Sequence, residues 1–445
     1  QRRVDLHSPD GNFRVGWCFL GYRPLPDVTA GSWMMNASPI DQQVALFMQG
    51  TEFGDGSLKQ AMQSELQQRL MEASRSGRAL RVYCGFDPRT SDLHLGHTIP
   101  MRKLRQFQEQ GHEVIFVIGR FTSLIGDPSD KDKVRVQMTP EEARLNAESY
   151  AEQAFRILDR EMTRIEYNDT WLSKLTFRDL IQLASNFTVQ QFLTRETFRK
   201  RWDENDPIYL HETFYAIMQG YDAYELKADV QVGGRDQLFN IITAARKLME
   251  TLGAAPNIGI IMGILPGTDG VIRMSKSLGN HIALNATPQD MYGKVMSIPD
   301  TAMGQYARLV TRWSPTEIEG YEGELESGSL HPRDLKMRLA HEIVGIYHGE
   351  DSAGAAEDAF RTVFQEQGEP EEMPEFRLGS KQTAAEVLVA TGLAGSKTEA
   401  RRLIAQHGVH IGDDSLEDPN LILKVGESAV LRVGKRRFVR LLPPD

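Results

Sequence analysis

Short apolar runs alternate with stretches of helical period through the middle of this chain, and that alternation predicts strands and helices in turn. Arg81-Val82-Tyr83-Cys84-Gly85-Phe86 reads as a strand that Asp87-Pro88 breaks, and Val114–Gly119, Ala228–Val232 and Ile258–Leu265 read as three more. A helical stretch follows His94, with Leu104 and Phe107 on its apolar side and Gly111 at its end. Pro100 inside it implies a kink or a late start, because proline removes a backbone donor and crowds the preceding turn. Thr139-Pro140-Glu141-Glu142 opens another helix with a capping residue, a first-turn proline and an acid three residues on. After Gly233-Gly234, Asp236 is placed to cap a further helix. This order predicts an α/β fold, a Rossmann-like doubly wound parallel sheet whose functional groups gather at strand-to-helix turns.

The flanks differ. Residues 1–34 mix Arg, Pro, Gly and aromatics without period and read as an irregular leader or non-native extension, with the natural start at Met34 or Met35. The α/β body is expected over 35–287, followed by a helical domain over 288–364 that Thr287-Pro288-Gln289-Asp290 opens. Residues 365–377, with Glu366, Glu369, Glu371, Glu372 and Glu375 around Pro370 and Pro374, read as an acidic solvated linker. A small α+β module follows over 378–445, and no internal repeat is visible.

Composition narrows the setting. With 445 residues, 40% of them hydrophobic, the chain can bury more than one core. Its formal charge of -10 means that any surface for nucleic acid must be local. Cys18 and Cys84 are the only cysteines, too few for a disulfide framework or an all-cysteine metal site. No apolar run is long enough to span a membrane, and Asp5, Asp10 and Asp27 interrupt any secretory pattern at the start. A reducing, cytoplasmic setting is expected.

Four groups of residues carry candidate chemistry. His94 and His97 lie three apart at a helix start, where imidazoles, unpaired N–H groups and the positive dipole end make an anion site; Gly96 between them lets a flat base approach the backbone. Arg273-Met274-Ser275-Lys276-Ser277 offers two cations and two hydroxyls between Gly270 and Gly279, as a phosphate-centred transition state requires. Lys131, Lys133 and Arg135, after Gly126-Asp127-Pro128, offer a second cationic arm. Tyr215, Gln219 and Asp222 fall at i, i+4 and i+7, so one helix face presents all three as a ligand wall. Taken singly, these are equally two surface histidines, a basic turn, a solvated loop and an exposed helix face.

Together, Tyr83 to Pro88, His94–His97, Gly126-Asp127-Pro128, Tyr215 to Asp222, Gly233 to Gln237, Arg273–Ser277 and the C-terminal module resemble class I aminoacyl-tRNA synthetases, specifically the bacterial-type tyrosyl-tRNA synthetases, from about residue 40 to 445. The resemblance implies a ligase that activates L-tyrosine with ATP and Mg2+, releases pyrophosphate, and transfers the tyrosyl group to tRNA(Tyr). It implies catalytic roles for His94, His97, Lys276, Arg273, Lys131 and Arg135. It implies that Asp127, Tyr215 and Gln219 hold the substrate ammonium, that Tyr83 and Asp222 meet the phenol, and that Gln237 completes the tyrosine site. ATP would touch Gly85, Asp87, His94, Gly96, His97, Gly233, Gly234, Asp236, Met274, Ser275, Lys276 and Ser277. No protein-bound structural metal is expected. Burying groups built to bond a phenol penalises phenylalanine, which would leave them unpaired. The chain departs from the family pattern at Arg273, where Lys is commoner, at Asp130 beside Lys131, and at Pro100.

Over 379–445 there are ten Lys and Arg against eight Asp and Glu, reversing the sign of the whole chain. Ser396-Lys397-Thr398-Glu399 reads as a capping box opening a helix with Arg401 and Arg402, and Lys435, Arg436, Arg437 and Arg440 lie in a last strand-rich segment. This module resembles the RNA-binding fold of a small-subunit ribosomal protein, which implies tRNA contacts at Lys397, Arg401, Arg402, Lys435, Arg436 and Arg437. The resemblance also implies a homodimer. A tryptophanyl-tRNA synthetase, a non-catalytic RNA-binding protein derived from a synthetase, and a metabolic nucleotidylyltransferase remain as alternatives at this level.

Overall fold

The computed structural model describes residues 40–88, 93–128, 139, 142, 146, 150–364, 373–379, 381–412, 414–426, 428–434 and 437–444. The expected leader, the arm carrying Lys131, Lys133 and Arg135, and the pair Lys435 and Arg436 lie outside the described residues.

Five parallel strands form the first sheet: β1 (Arg81–Phe86), β2 (Glu113–Ile118), β3 (Thr163–Tyr167), β4 (Val230–Gly234) and β5 (Ile258–Met262), in the order β3-β2-β1-β4-β5. The order reverses between β1 and β4, the switch point at which doubly wound sheets open a crevice beyond the carboxyl ends of their strands. β1, β2, β4 and β5 coincide with the apolar runs, because strands covered on both faces must be apolar throughout. β3 is the exception. It sits at the edge, is only half-buried, and mixes Thr163, Arg164 and Glu166 with Ile165 and Tyr167, so no apolar run marks it.

The helix Leu95–Glu109 begins directly after His94 and contains Pro100, so the expected late start is not found. Gly111, at φ 81°, turns the chain out of this helix into β2. Thr139 and Glu142 make the expected reciprocal cap: the Thr139 N–H donates to the Glu142 carboxylate at 2.8 Å, and the Glu142 N–H to the Thr139 hydroxyl at 3.3 Å. Asp236 does not cap a helix. It lies in a 3-10 turn, Arg235–Gln237, that leads into a π-helical stretch, Phe239–Ala245, and neither start has a side-chain cap. Asp236 and Gln237 of this tight turn line the crevice at the end of β4.

Thr287 caps the helix Pro288–Met296, and helices Met303–Val310, Pro315–Ser327, Pro332–His348 and Glu350–Phe364 follow. Tyr292, Leu339, Ile343 and Val344 of these helices are buried in one continuous core with Val82, Leu104 and Ile260 of the sheet layer.

The C-terminal residues form a second sheet with its own core. β6 (Glu375–Arg377), β7 (Val409–Ile411), β8 (Asp414–Ser415), β9 (Ala429–Val433) and β10 (Arg437–Leu442) take the order β6-β10-β9-β7-β8 around Leu388, Ile404, Leu431 and Leu441. Glu375–Arg377, which composition places in the linker, is thus a strand, paired parallel with β10. The expected capping box at Ser396 is only half formed. Ser396 caps the Glu399 N–H at 3.2 Å, but the Glu399 carboxylate accepts from Gly395 N–H at 2.8 Å instead of returning to Ser396.

Candidate active site

A cleft of about 710 Å³ opens beyond the carboxyl ends of β1, β4 and β5. Its inner end is built from Tyr83 on β1, Asp222 on the helix Leu210–Glu225, and Asn168 and Trp171 just after β3. Asp222 is almost fully buried, and one of its oxygens accepts from the Trp171 indole N–H at 2.7 Å and the other from the Asn168 amide at 3.3 Å. Burial pushes its carboxyl up to about 7; the two donors pull the other way, and the nearby charge of Asp87 adds to the rise. Tyr83 donates its hydroxyl to the Gln219 carbonyl at 3.2 Å, and burial first, then the Asp222 charge, pushes its phenol well above the usual range. The inner end is therefore a dry pocket holding one phenol that stays protonated and one carboxyl poised near neutrality.

The middle of the cleft is a chain of polar side chains. Tyr215 donates to Asp87 at 3.0 Å, and Thr122 donates to the other Asp87 oxygen at 2.7 Å. A Cβ at Gly119 would lie 2.3 Å from that same oxygen, so only glycine lets the end of β1 and the turn after β2 approach this closely. Asp127 is held by Arg195 at 3.0 Å through one oxygen and by the Gln237 amide through the other. Gln237 also reaches Asp236 at 2.8 Å, and Asn240 donates to both Gln219 and Gln237 at 2.9 Å. The face Tyr215, Gln219 and Asp222 forms as the helical spacing requires, and all three residues line the cleft.

The outer end carries the histidines and the cationic loop. The Gly96 N–H donates to His94 Nδ1 at 3.1 Å, and the His94 N–H donates to His97 Nδ1 at 3.2 Å. A ring nitrogen that accepts carries no proton, so each neutral imidazole holds its hydrogen on Nε2. Burial, then the neighbouring His97, His281 and Arg273, hold His94 down at about 3, so it is neutral at physiological pH and serves as a directed N–H donor. The glycine at 96 has a more local reason than base approach: a Cβ there would sit 2.9 Å from the His94 ring.

The loop is tied back to this helix start. The chain after it bridges antiparallel to His94, with Leu95 N–H donating to Ile282 O at 3.0 Å and Leu284 N–H to Leu93 O at 2.9 Å. Within it, Asn280 accepts from Ser275 N–H at 2.8 Å and donates to Asp269, whose carboxylate also takes the N–H groups of Val271 and Ile272. Met274 is buried beneath, while Arg273, Lys276 and Ser277 are exposed at the cleft mouth.

The structure thus brings together in one cleft Tyr83, Gly85, Asp87, His94, Gly96, His97, Asp127, Tyr215, Gln219, Asp222, Gly233, Gly234, Asp236, Gln237 and Arg273 to Ser277. Sequence reasoning missed Asn168, Trp171, Arg195 and Asn240. The first two follow an edge strand without an apolar signature, Arg195 acts on Asp127 across 68 positions, and Asn240 acts on Gln237 and Gln219 from a π-helical stretch that the sequence does not mark. In the C-terminal module Arg401 and Arg402 are exposed, Lys397 is paired with Glu386 at 2.9 Å, and Arg437 donates to the Leu393 carbonyl at 2.6 Å.

Comparison with known proteins places the chain in a family. The family model of class I tRNA synthetases for tryptophan and tyrosine matches residues 75–365. A tyrosine–tRNA ligase of Moorella thermoacetica is 45% identical over 412 residues, covering 92% of this chain and 98% of that protein. One from Thermotoga maritima is 46% identical over 362 residues, covering 81% and 90%. The fold matches a C-terminally truncated mitochondrial tyrosyl-tRNA synthetase of Aspergillus nidulans with a TM-score of 0.57 at 22% identity, over 73% of this chain and 94% of that one. On these grounds the chain belongs to the class I tRNA synthetases and, within them, to the tyrosine–tRNA ligases.

Proposed function

We propose that the cleft condenses L-tyrosine with ATP to tyrosyl-adenylate and pyrophosphate, and that the tyrosyl group then passes to the 3′ end of tRNA(Tyr). The observation that carries this reading is the single cleft whose buried inner end suits a phenol and whose outer end carries directed imidazole N–H donors and cations. The phenol lies between Tyr83 and Asp222, and the ammonium meets Asp127, Tyr215 and Gln219, with Gln237 beside them. The substrate carboxylate attacks the α-phosphorus, the α–β phosphoanhydride bond breaks, and pyrophosphate leaves. His94 and His97 donate their Nε2 hydrogens to the phosphate oxygens, while Lys276 and Arg273, and by resemblance Lys131 and Arg135, neutralise the charge that builds there. Asp87, Asp236 and the backbone at Gly85, Gly233 and Gly234 face the ribose and base, and Ser275 and Ser277 add loop hydroxyls.

Magnesium in this reading arrives on the triphosphate, since this small hard cation keeps phosphate oxygens and waters as ligands. Among the described residues no group of three or more His, Cys, Asp or Glu side chains is placed to hold a metal ion. The C-terminal module, with Arg401, Arg402 and Arg437, is assigned to tRNA, and residues 288–364 to its anticodon side. A homodimer is supported by large apolar side chains exposed between β3 and β4: Phe177, Ile181, Val189, Trp202 and Leu210. Among the described residues no helix is long and apolar enough to cross a membrane, and a cytoplasmic site of action is proposed.

Exchange of labelled pyrophosphate into ATP, run with each amino acid, tests the reading. Tyrosine is expected to drive exchange and phenylalanine and tryptophan are not; exchange driven best by tryptophan would overturn it.

A further inference from the structure

Arg195 stands beside the cleft without lining it. It immediately precedes the helix Glu196–Asp203, and only 4% of its side chain is exposed. Among the described residues its guanidinium makes one ion pair, Nη2 to Asp127 Oδ1 at 3.0 Å, and it lies 5.4 Å from the centre of the Phe198 ring. Its Nε and Nη1 have no hydrogen-bond partner among the described residues. Burying a cation with so few partners costs several kcal/mol, so fold stability is a poor reason for it to be there.

What it touches supplies a better one. Asp127 lies between Arg195 and the cleft: one oxygen is tied behind by the guanidinium, and the other is shared with Gln237, which Asn240 in turn orients. A carboxylate has two equivalent oxygens and a broad torsion, so the contact on one oxygen helps decide where the other points. The planar guanidinium fork is a stiffer anchor than an ammonium on a flexible stem.

We propose that Arg195 is a positioning residue for the substrate ammonium. It fixes Asp127 in the rotamer that turns the second oxygen to the cleft, and so sets how strongly the site prefers tyrosine over the same molecule without its amino group. This rests on the reading that Asp127 meets the ammonium. A pure charge effect has the opposite sign, because a second cation on the shared carboxylate repels the ammonium and its removal would strengthen tyrosine binding.

The test compares dissociation constants of L-tyrosine and 3-(4-hydroxyphenyl)propionate, which lacks the amino group, for the full-length protein and its Arg195→Met, Arg195→Lys and Asp127→Asn variants. The ratio of the two constants, taken on one sample, does not depend on the fraction folded. Arg195→Met is expected to shrink the preference for tyrosine about tenfold, as loss of one charge-assisted contact implies, with the propionate binding as before. Arg195→Lys is expected to restore part of it, and it carries the test alone if the methionine variant does not fold. A preference unchanged or increased in the Arg195 variants, while Asp127→Asn reduces it, overturns the proposal. A preference unchanged in Asp127→Asn removes the ammonium reading itself, and the proposal with it.

Discussion

The two ends of the cleft solve opposite problems with opposite materials. At the inner end Asp222, Tyr83 and Asn168 are buried; Asp222 accepts from Trp171 and Asn168, and Tyr83 donates to the Gln219 carbonyl, so the pocket holds a fixed pattern of donors and acceptors. At the mouth Arg273, Lys276 and Ser277 are exposed on a loop held by Asn280 and Asp269 from within. Discrimination between two amino acids that differ by one hydroxyl needs groups that cannot relax when the hydroxyl is missing, which burial enforces. Stabilising a triphosphate as its charge develops needs cations directed at it, and Arg273 and Lys276 stand at the cleft mouth. In the proposed reading, buried groups face the amino acid and exposed cations face the triphosphate.

The sharpest way to break this contrast is Lys276→Ala. Losing one directed charge at a developing oxyanion is expected to slow pyrophosphate exchange at saturating substrates by roughly 100-fold or more, while the KM for tyrosine stays within about twofold. A comparable change in KM would mean that the loop also reads the amino acid. Asp222→Asn tests the inner end, and tyrosine kcat/KM is expected to fall by about 100-fold, the worth of a buried charge-assisted hydrogen bond with its unpaired donors.

The pH dependence separates the ends further. Asp222, held up near about 7, is protonated below that value and accepts the phenol best above it, so tyrosine affinity is expected to rise as pH climbs from 6 to 8. Folding responds with the other sign. A carboxyl whose folded value is raised from 3.8 to about 7 contributes most below pH 3.8, and that contribution is lost as pH rises toward 7. His94, held near 3, stays neutral throughout and adds no step to the profile. Titration of tyrosine binding, with Asp222→Asn as the flat control, measures the rise.

Trp171→Phe is a gentler probe. Removing the indole donor withdraws a bond that favours the ionised carboxylate, so the midpoint of that profile is expected to move upward and tyrosine affinity to drop by roughly fivefold. The smallest effect is expected in the C-terminal module. Arg401→Glu with Arg402→Glu should leave pyrophosphate exchange intact and weaken tRNA charging several-fold, more at low salt than at high, as phosphate contacts require. Equal losses in both assays would remove the separate RNA role of the module.

Much of this molecule is legible in the linear text because its constraints are local. Strands buried on both faces must be apolar, so β1, β2, β4 and β5 stand out; Tyr215, Gln219 and Asp222 share a face because the helix has a fixed period; and a helix does start at His94, as the sequence places it. Elsewhere the local reading misleads. Asp236 has the chemistry of a cap but faces the cleft from a 3-10 turn, and Glu375–Arg377 has the composition of a linker but pairs with β10. For Glu375–Arg377 the partner strand lies elsewhere in the fold, and Asp236 bonds the adjacent Gln237 in place of a helix start.

The order of apolar and polar residues thus marked four of the five strands of the first sheet and the helix face that walls the cleft, since each follows from periodicity and steric rules acting within a few residues; β3, the strand order and its switch point came only from how the layers pack. Tertiary structure alone decided which groups surround Asp222 and Asp127. Trp171 comes to Asp222 across 51 positions and Arg195 to Asp127 across 68. Contacts of that span are chosen by how whole layers pack, and burial among them, not residue type, is what moves the Asp222 carboxyl to about 7.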